Sequence, residues 1–156
     1  MSKIKMKKQK AFTLIEILLV IGIIVILAGG IIVALNPGRQ FAKARDAQRV
    51  SDLNNLLNAV VQNLTENQGR WNCTSSQYHS TTLPTNTTTI RATGTETGDA
   101  EINLSCLTPN ILSRIPVDPL RSPTDQISSY TIAAQEGGRI TLCATGELNP
   151  NICISK

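Results

Sequence analysis

The chain has 156 residues, a formal charge of +4, 3% aromatic residues, four cysteines and one histidine. Such a composition supports one modest, mainly aliphatic domain, and no internal repeat is visible. The absence of any Gly-x-Ser-x-Gly, His-Glu-x-x-His or phosphate-loop pattern excludes the common hydrolase, zinc-protease and nucleotide-hydrolysing signatures, and no active site is expected. Lys3, Lys5, Lys7, Lys8 and Lys10 supply five of the positive charges, so residues 12–156 carry a formal −1. Net charge therefore does not directly indicate a nucleic-acid partner.

Residues 12–35, FTLIEILLVIGIIVILAGGIIVAL, contain a single charge, Glu16. A hydrocarbon core about 30 Å thick takes about 20 helical residues, so this run is long enough to span a membrane. The lysines ahead of it predict a cytoplasmic N-terminal flank and an extracytoplasmic body. A secretory leader cut near Ala28-Gly29-Gly30 is a competing reading, disfavoured because the apolar run continues to Leu35. A carboxylate inside hydrocarbon costs roughly 2.5–3.5 kcal/mol on insertion scales, so Glu16 requires a partner. No Lys, Arg or His lies between Phe12 and Leu35. A cut between Ala11 and Phe12 would create an α-ammonium at Phe12, and neighbouring copies could then exchange that charge for Glu16.

The stretch KKQKAFTLIEILLVIGII resembles the class III signal of type IV pilins and type II secretion pseudopilins. The resemblance implies that residues 1–11 are a leader removed by a prepilin peptidase. It makes Phe12 the mature, usually N-methylated terminus and Glu16 the acid that registers subunits in a filament. Ala11 departs from the family's usual glycine, which predicts slower processing. An ordinary signal anchor would leave Glu16 without a role.

After Leu35, Asn36-Pro37-Gly38 interrupts the helical pattern, because proline removes a backbone donor and clashes with the preceding turn. Gly29 and Gly30 weaken the helix by about 1 kcal/mol each relative to alanine. By the resemblance, Gly29 to Pro37 is the stretch that kinks or melts on assembly. Helix then resumes to about residue 66, with Val50, Leu53, Leu57, Val60 and Leu64 as one apolar stripe and Arg45, Asp52, Asn54 and Asn58 facing elsewhere. Arg39, Lys43, Arg45 and Arg49 form a basic stretch expected near lipid headgroups or charged neighbours. Asn67-Gln68-Gly69 ends the helix.

Residues 72–100 are crowded with Thr, Ser and Asn and read as a surface loop. His79 within it reads as an exposed polar residue, and Asn63, Asn72, Asn86 and Asn103 head short sequons. Glu96, Asp99 and Glu101 cluster without marking a pocket. The β-region covers 101–156, with strands expected at Ile102–Leu107, Ser129–Ala134, Arg139–Ala144 and Ile152–Ser155, and a hairpin turn at Glu136-Gly137-Gly138. A long helix packed on a small antiparallel sheet is an α+β class. It is also the pilin architecture, giving a leader (1–11), an assembly helix (12–35) and a globular head (36–156).

All four cysteines, Cys73, Cys106, Cys143 and Cys153, fall on the oxidising side, where disulfides are the natural reading. Three pairings are possible. The preferred one joins Cys73 to Cys106 and Cys143 to Cys153, the second enclosing Gly146 and Asn149-Pro150 in a turn that resembles the disulfide-closed terminal loop of many pilins. The spacing lacks a CxxC knuckle, which disfavours zinc. Ile115-Pro116-Val117-Asp118-Pro119 resembles the Pro-x-Asp-Pro segment of major pseudopilins, in which a nearby loop binds calcium. Here Asp118 and Asp125 are weak calcium candidates, because two carboxylates supply too few ligands, and no cofactor is expected.

These observations imply a structural subunit that polymerises with its own copies, for adhesion, motility or DNA uptake. Its implied partners are a prepilin peptidase, an assembly platform protein and a cytoplasmic ATPase. It would sit in the cytoplasmic membrane and then in an extracellular pilus. The alternatives are a pseudopilin in a periplasmic pseudopilus and a membrane-tethered binding domain that never polymerises.

Overall fold

The computed structural model describes residues 12–75, 78–80, 82–92, 101–135 and 137–156. Its elements are α1 (Leu14–Leu35), α2 (Pro37–Glu66), β1 (Cys73–Ser75), β2 (Tyr78–Ser80), β3 (Thr88–Arg91), β4 (Glu101–Asn103), a 3₁₀ turn (Ser105–Leu107), β5 (Ile127–Ala134), β6 (Ile140–Ala144) and β7 (Ile152–Ser155). The chain divides into two compact units, the first ending at Gln40 and the second running from Phe41 to Lys156. A long N-terminal helix followed by a small sheet makes the class α+β, in keeping with a pilin-like fold.

In the first unit, α1 is long and apolar enough to cross a membrane, and none of its residues is buried. Gly29 and Gly30 lie inside it without breaking it. The interruption is confined to Asn36, whose φ of 43° and ψ of 78° are left-handed. Asparagine tolerates that region better than most side chains. Pro37 then takes the first position of α2, where its missing N–H leaves nothing unsatisfied. The Asn36 carboxamide oxygen accepts from the Arg39 N–H at 3.4 Å, so one residue caps two helices.

The second unit, the head, is built on α2. Its buried positions are Ala42, Arg49, Asp52, Leu53, Leu56, Leu57, Ala59, Val60 and Asn63. This corrects the expected stripe. Val50 is exposed, Leu56 joins the core, and Asp52, read as facing elsewhere, is buried. Buried charges escape a pattern of apolar residues because their partners lie far along the chain. Leu53, Leu56 and Val60 pack with Ile90, Leu104, Leu107, Ile132 and Leu142, and Tyr130 and Trp71 are the aromatic members of the core.

The main sheet has the order β4-β3-β5-β6-β7. It is mixed rather than wholly antiparallel, because β3 and β4 run parallel with Ile90 opposite Ile102. Strand β3 falls in the segment expected to be a loop, and so do β1 and β2, which pair with each other. Threonine is β-branched and suits a pleated surface, so a polar run rich in it forms strands here and not a loop. The expected strand Ile102–Leu107 ends at Asn103, whose carboxamide accepts from the Ser105 N–H at 2.8 Å and turns the chain into the 3₁₀ segment.

Strand β5 carries an irregularity opposite β3, between Thr89 and Arg91. There Ser129 has φ 66°, and the buried Ser128 hydroxyl donates to the Ile90 carbonyl at 2.8 Å. Such a bulge re-aims the following side chain, here Tyr130, which is fully buried. The β5–β6 turn uses Gly137 and Gly138, both at positive φ, while Glu136 lies outside the described residues.

Cys73 is bonded to Cys106, tying β1 to the 3₁₀ turn, and Cys143 is bonded to Cys153. The second pair bridges directly opposed residues of β6 and β7, with Cα atoms 4.2 Å apart, as in a narrow antiparallel pair.

Candidate assembly site and the ion-pair hub of the head

At the start of α1, Thr13 is the N-cap, and with Glu16 it forms a capping box. The Glu16 N–H donates to the Thr13 hydroxyl oxygen at 3.3 Å. Glu16 Oε2 in return accepts from the Thr13 N–H and hydroxyl, each at 3.1 Å. Two otherwise orphaned helix donors are thereby satisfied within one turn, and the carboxylate sits at the positive end of the helix dipole. The Phe12 side chain beside it is 81% exposed. Ala11 and the leader lysines lie outside the described residues.

In the head, the chemistry gathers around Arg49, which is 2% exposed. Its Nε and Nη2 donate to the two Asp118 carboxylate oxygens at 2.7 and 3.0 Å, a bidentate pair. Its Nη1 donates to Asp46 at 2.7 Å and to Glu147 at 3.4 Å. Arg45 forms a second fork on Glu147, with Nη2 at 2.6 Å. Asp46 also accepts the backbone N–H groups of Glu147, Leu148 and Asn149, at 2.8, 2.9 and 3.4 Å. Gly146 is required beside them, since a Cβ there would collide with the Asn149 carbonyl, Ile152 Cδ1 and Asp46 Oδ1.

These contacts set the charges. The Glu147 and Leu148 N–H groups, with help from Arg49, push the Asp46 carboxyl down to about 2. Burial opposes the charge of Asp118, but the hydrogen bonds from Arg49 outweigh it and hold that carboxyl below its usual range. Arg45 likewise lowers Glu147. Hydrogen bonds to Asp118 raise Arg49 despite its burial. Behind the hub, Tyr130 donates to Asp52 at 2.9 Å and Gln48 donates to the other Asp52 oxygen at 2.8 Å. Burial first, and then the bond to Asp52, raise the tyrosine. The hub fastens α2 to the Pro-x-Asp-Pro segment and to the disulfide-closed loop.

Residues 6–32 match the prokaryotic N-terminal methylation motif, the class III signal of type IV pilins and pseudopilins. The chain carries a prepilin-type signal. That signal implies processing by prepilin peptidase, and with the apolar helix it fits a membrane-anchored pilin. No curated protein and no solved structure matches the chain.

With the prepilin-type signal assigned, the other predicted positions find their places. Arg45 and Arg49 leave the expected basic stretch for carboxylate partners within the head, and Arg39 and Lys43 stay exposed. Asp118 and Asp125 are engaged by different cations, Asp118 by Arg49 and Asp125 by Arg121 at 3.8 Å. Among the described residues, no group of three or more His, Cys, Asp and Glu side chains is placed to hold a metal ion. Asn63 and Asn103 are buried, which closes those two sequons in the folded head, whereas Asn72 and Asn86 are exposed. His79 falls on β2 opposite Thr74, and its side chain lies outside the described set, as do Glu96 and Asp99. Glu101 pairs with Arg91.

The hub residues Asp46, Arg49, Asp52 and Glu147 do not declare themselves as a cluster in the sequence, because Glu147 lies 98 positions from Arg49. One signal was available: positions 49, 53, 56, 60 and 63 keep a single helical register, so the buried stripe runs through Arg49.

Proposed function

We propose that the chain is a structural subunit of a type IV pilus-like filament, cut before Phe12, N-methylated there and polymerised through α1. The reading rests on one conjunction. The prepilin-type signal takes in most of a 22-residue apolar helix that has no buried residue and a single acid, Glu16, in its first turn. Lipid covers such a helix before assembly, and the helices of neighbouring copies cover it afterwards. Cleavage adds an α-ammonium at Phe12, and Glu16 of an adjacent copy receives it. The charge that is costly in hydrocarbon is thereby paired, and the pairing fixes the stagger between subunits. Transfer out of lipid requires work, for which the family uses a cytoplasmic ATPase and a membrane platform protein.

Intact mass and N-terminal sequencing of the protein from native membranes and from the sheared surface fraction test this reading. A chain starting at Phe12 and heavier by one methyl group is expected in both fractions. A chain retaining its leader would identify a tethered domain and implicate Ala11.

One observation favours a second reading. The Pro116-Val117-Asp118-Pro119 segment, which resembles that of major pseudopilins, is anchored by Arg49 instead of lying as a free loop. In a pseudopilus the processed subunit stays in the periplasm, and it is then missing from the sheared fraction.

A further inference from the structure

A cavity of about 610 Å³ opens where the end of α2, the turn that follows it and the β5–β6 turn meet, and none of its lining residues belongs to the Arg49 hub. Its apolar walls come from Leu64, Leu83, Ala134 and Ile140. Two donors accompany them. Arg70, on the rim, is exposed and forms no ion pair among the described residues. Trp71, which also lines the cavity, is 6% exposed, and its Nε1–H is buried without a hydrogen-bond partner.

Buried donors in folded proteins are normally paired, so an orphaned indole N–H beside an open cavity marks an incomplete site. No carboxylate lines the cavity among the described residues, and the Asn67 and Asn72 amide groups already donate to Asn63 and Asn67. Among the described residues, none of these groups accepts the Trp71 indole N–H. The volume falls in the range of small-molecule sites, and the apolar walls suit a ring or a short alkyl chain rather than a bare inorganic ion.

We infer that this cavity binds a small amphipathic anion, an apolar body ending in a carboxylate. The Arg70 guanidinium offers the carboxylate two parallel N–H groups, the geometry in which arginine surpasses lysine. The apolar body lies against Leu64, Leu83 and Ile140, and a small shift of the indole brings its N–H to an acceptor. This site is independent of filament assembly and stands whether or not the chain polymerises.

Trp71 is the only tryptophan, so its emission reports the site directly. Phenylacetate is titrated into the full-length protein held in lipid nanodiscs, with phenethylamine and 2-phenylethanol as charge-reversed and neutral controls. Phenylacetate is expected to produce a saturable shift, phenethylamine none, and phenylethanol much weaker binding. Arg70→Gln, a change at an exposed side chain that leaves the core intact, is expected to raise the Kd for phenylacetate about tenfold. No saturable response to phenylacetate, an unchanged Kd in Arg70→Gln, or equal binding of phenylethanol would each overturn the assignment.

Discussion

Helices α1 and α2 follow one another through a single capping residue, yet they resolve their burial in opposite ways. The second hides nine of its thirty residues within its own head, including a charged arginine whose partners the same chain provides. The first hides none of its twenty-two. A head that completes itself and a helix that leaves every residue uncovered belong to one chain, and the length and apolar character of that helix suit a lipid surrounding. Stability is thus an internal property of the head, while under the proposed function assembly falls to α1.

That division predicts a separation of phenotypes. Glu16→Ala has the largest expected effect: filaments disappear from the sheared fraction, processed subunit accumulates in the membrane, and the thermal midpoint of the head does not move. Filaments of normal yield would show that the acid is incidental. Arg49→Met should do the reverse. It strands Asp118 as an unpaired buried carboxylate, which costs about 3–5 kcal/mol. Denaturant unfolding of the full-length protein in detergent, followed by Trp71 emission, measures this, and a loss below about 1 kcal/mol would show that the remaining hub contacts suffice.

A milder change is Tyr130→Phe, which deletes the hydroxyl on Asp52 but leaves the Gln48 bond in place. The expected cost is about 1–3 kcal/mol, read from the same unfolding curve. The smallest effect is acid sensitivity confined to the head. The Asp46 carboxyl is pushed down to about 2 in the folded head and is ordinary when unfolded. Its contribution is therefore complete above the ordinary carboxylate range and declines as pH falls from about 4 toward 2, where the unfolded chain binds the proton first. Asp46→Asn is expected to flatten that part of the stability profile, and an unaltered slope would assign the acid response to Asp118 and Glu147.

The parts legible in the sequence were those whose signal is local. An uninterrupted apolar run, the Phe12-to-Glu16 block, the Asn36-Pro37 break and the hairpin strands β5 and β6 each declare themselves within a short window. Strand β3 did not, because Thr88, Thr89 and Ile90 resemble a polar loop until a parallel partner from β4 lies beside them. Arg49 did not either. Its burial depends on Asp118, 69 positions away, and on Glu147, 98 positions away, and no periodicity announces partners at that range.

That separation has a consequence for timing. Asp46 receives its backbone donors from residues 101 to 103 positions downstream. At translation rates of about 5–20 residues per second, α2 waits roughly 5–20 s for the segment that clasps it. During that interval its apolar face and its arginine are uncovered, and only the arrival of Glu147 and the strands β6 and β7 closes the head. The head is therefore unfinished long after its N-terminal signal has left the ribosome, and its closure waits on residues 147–149.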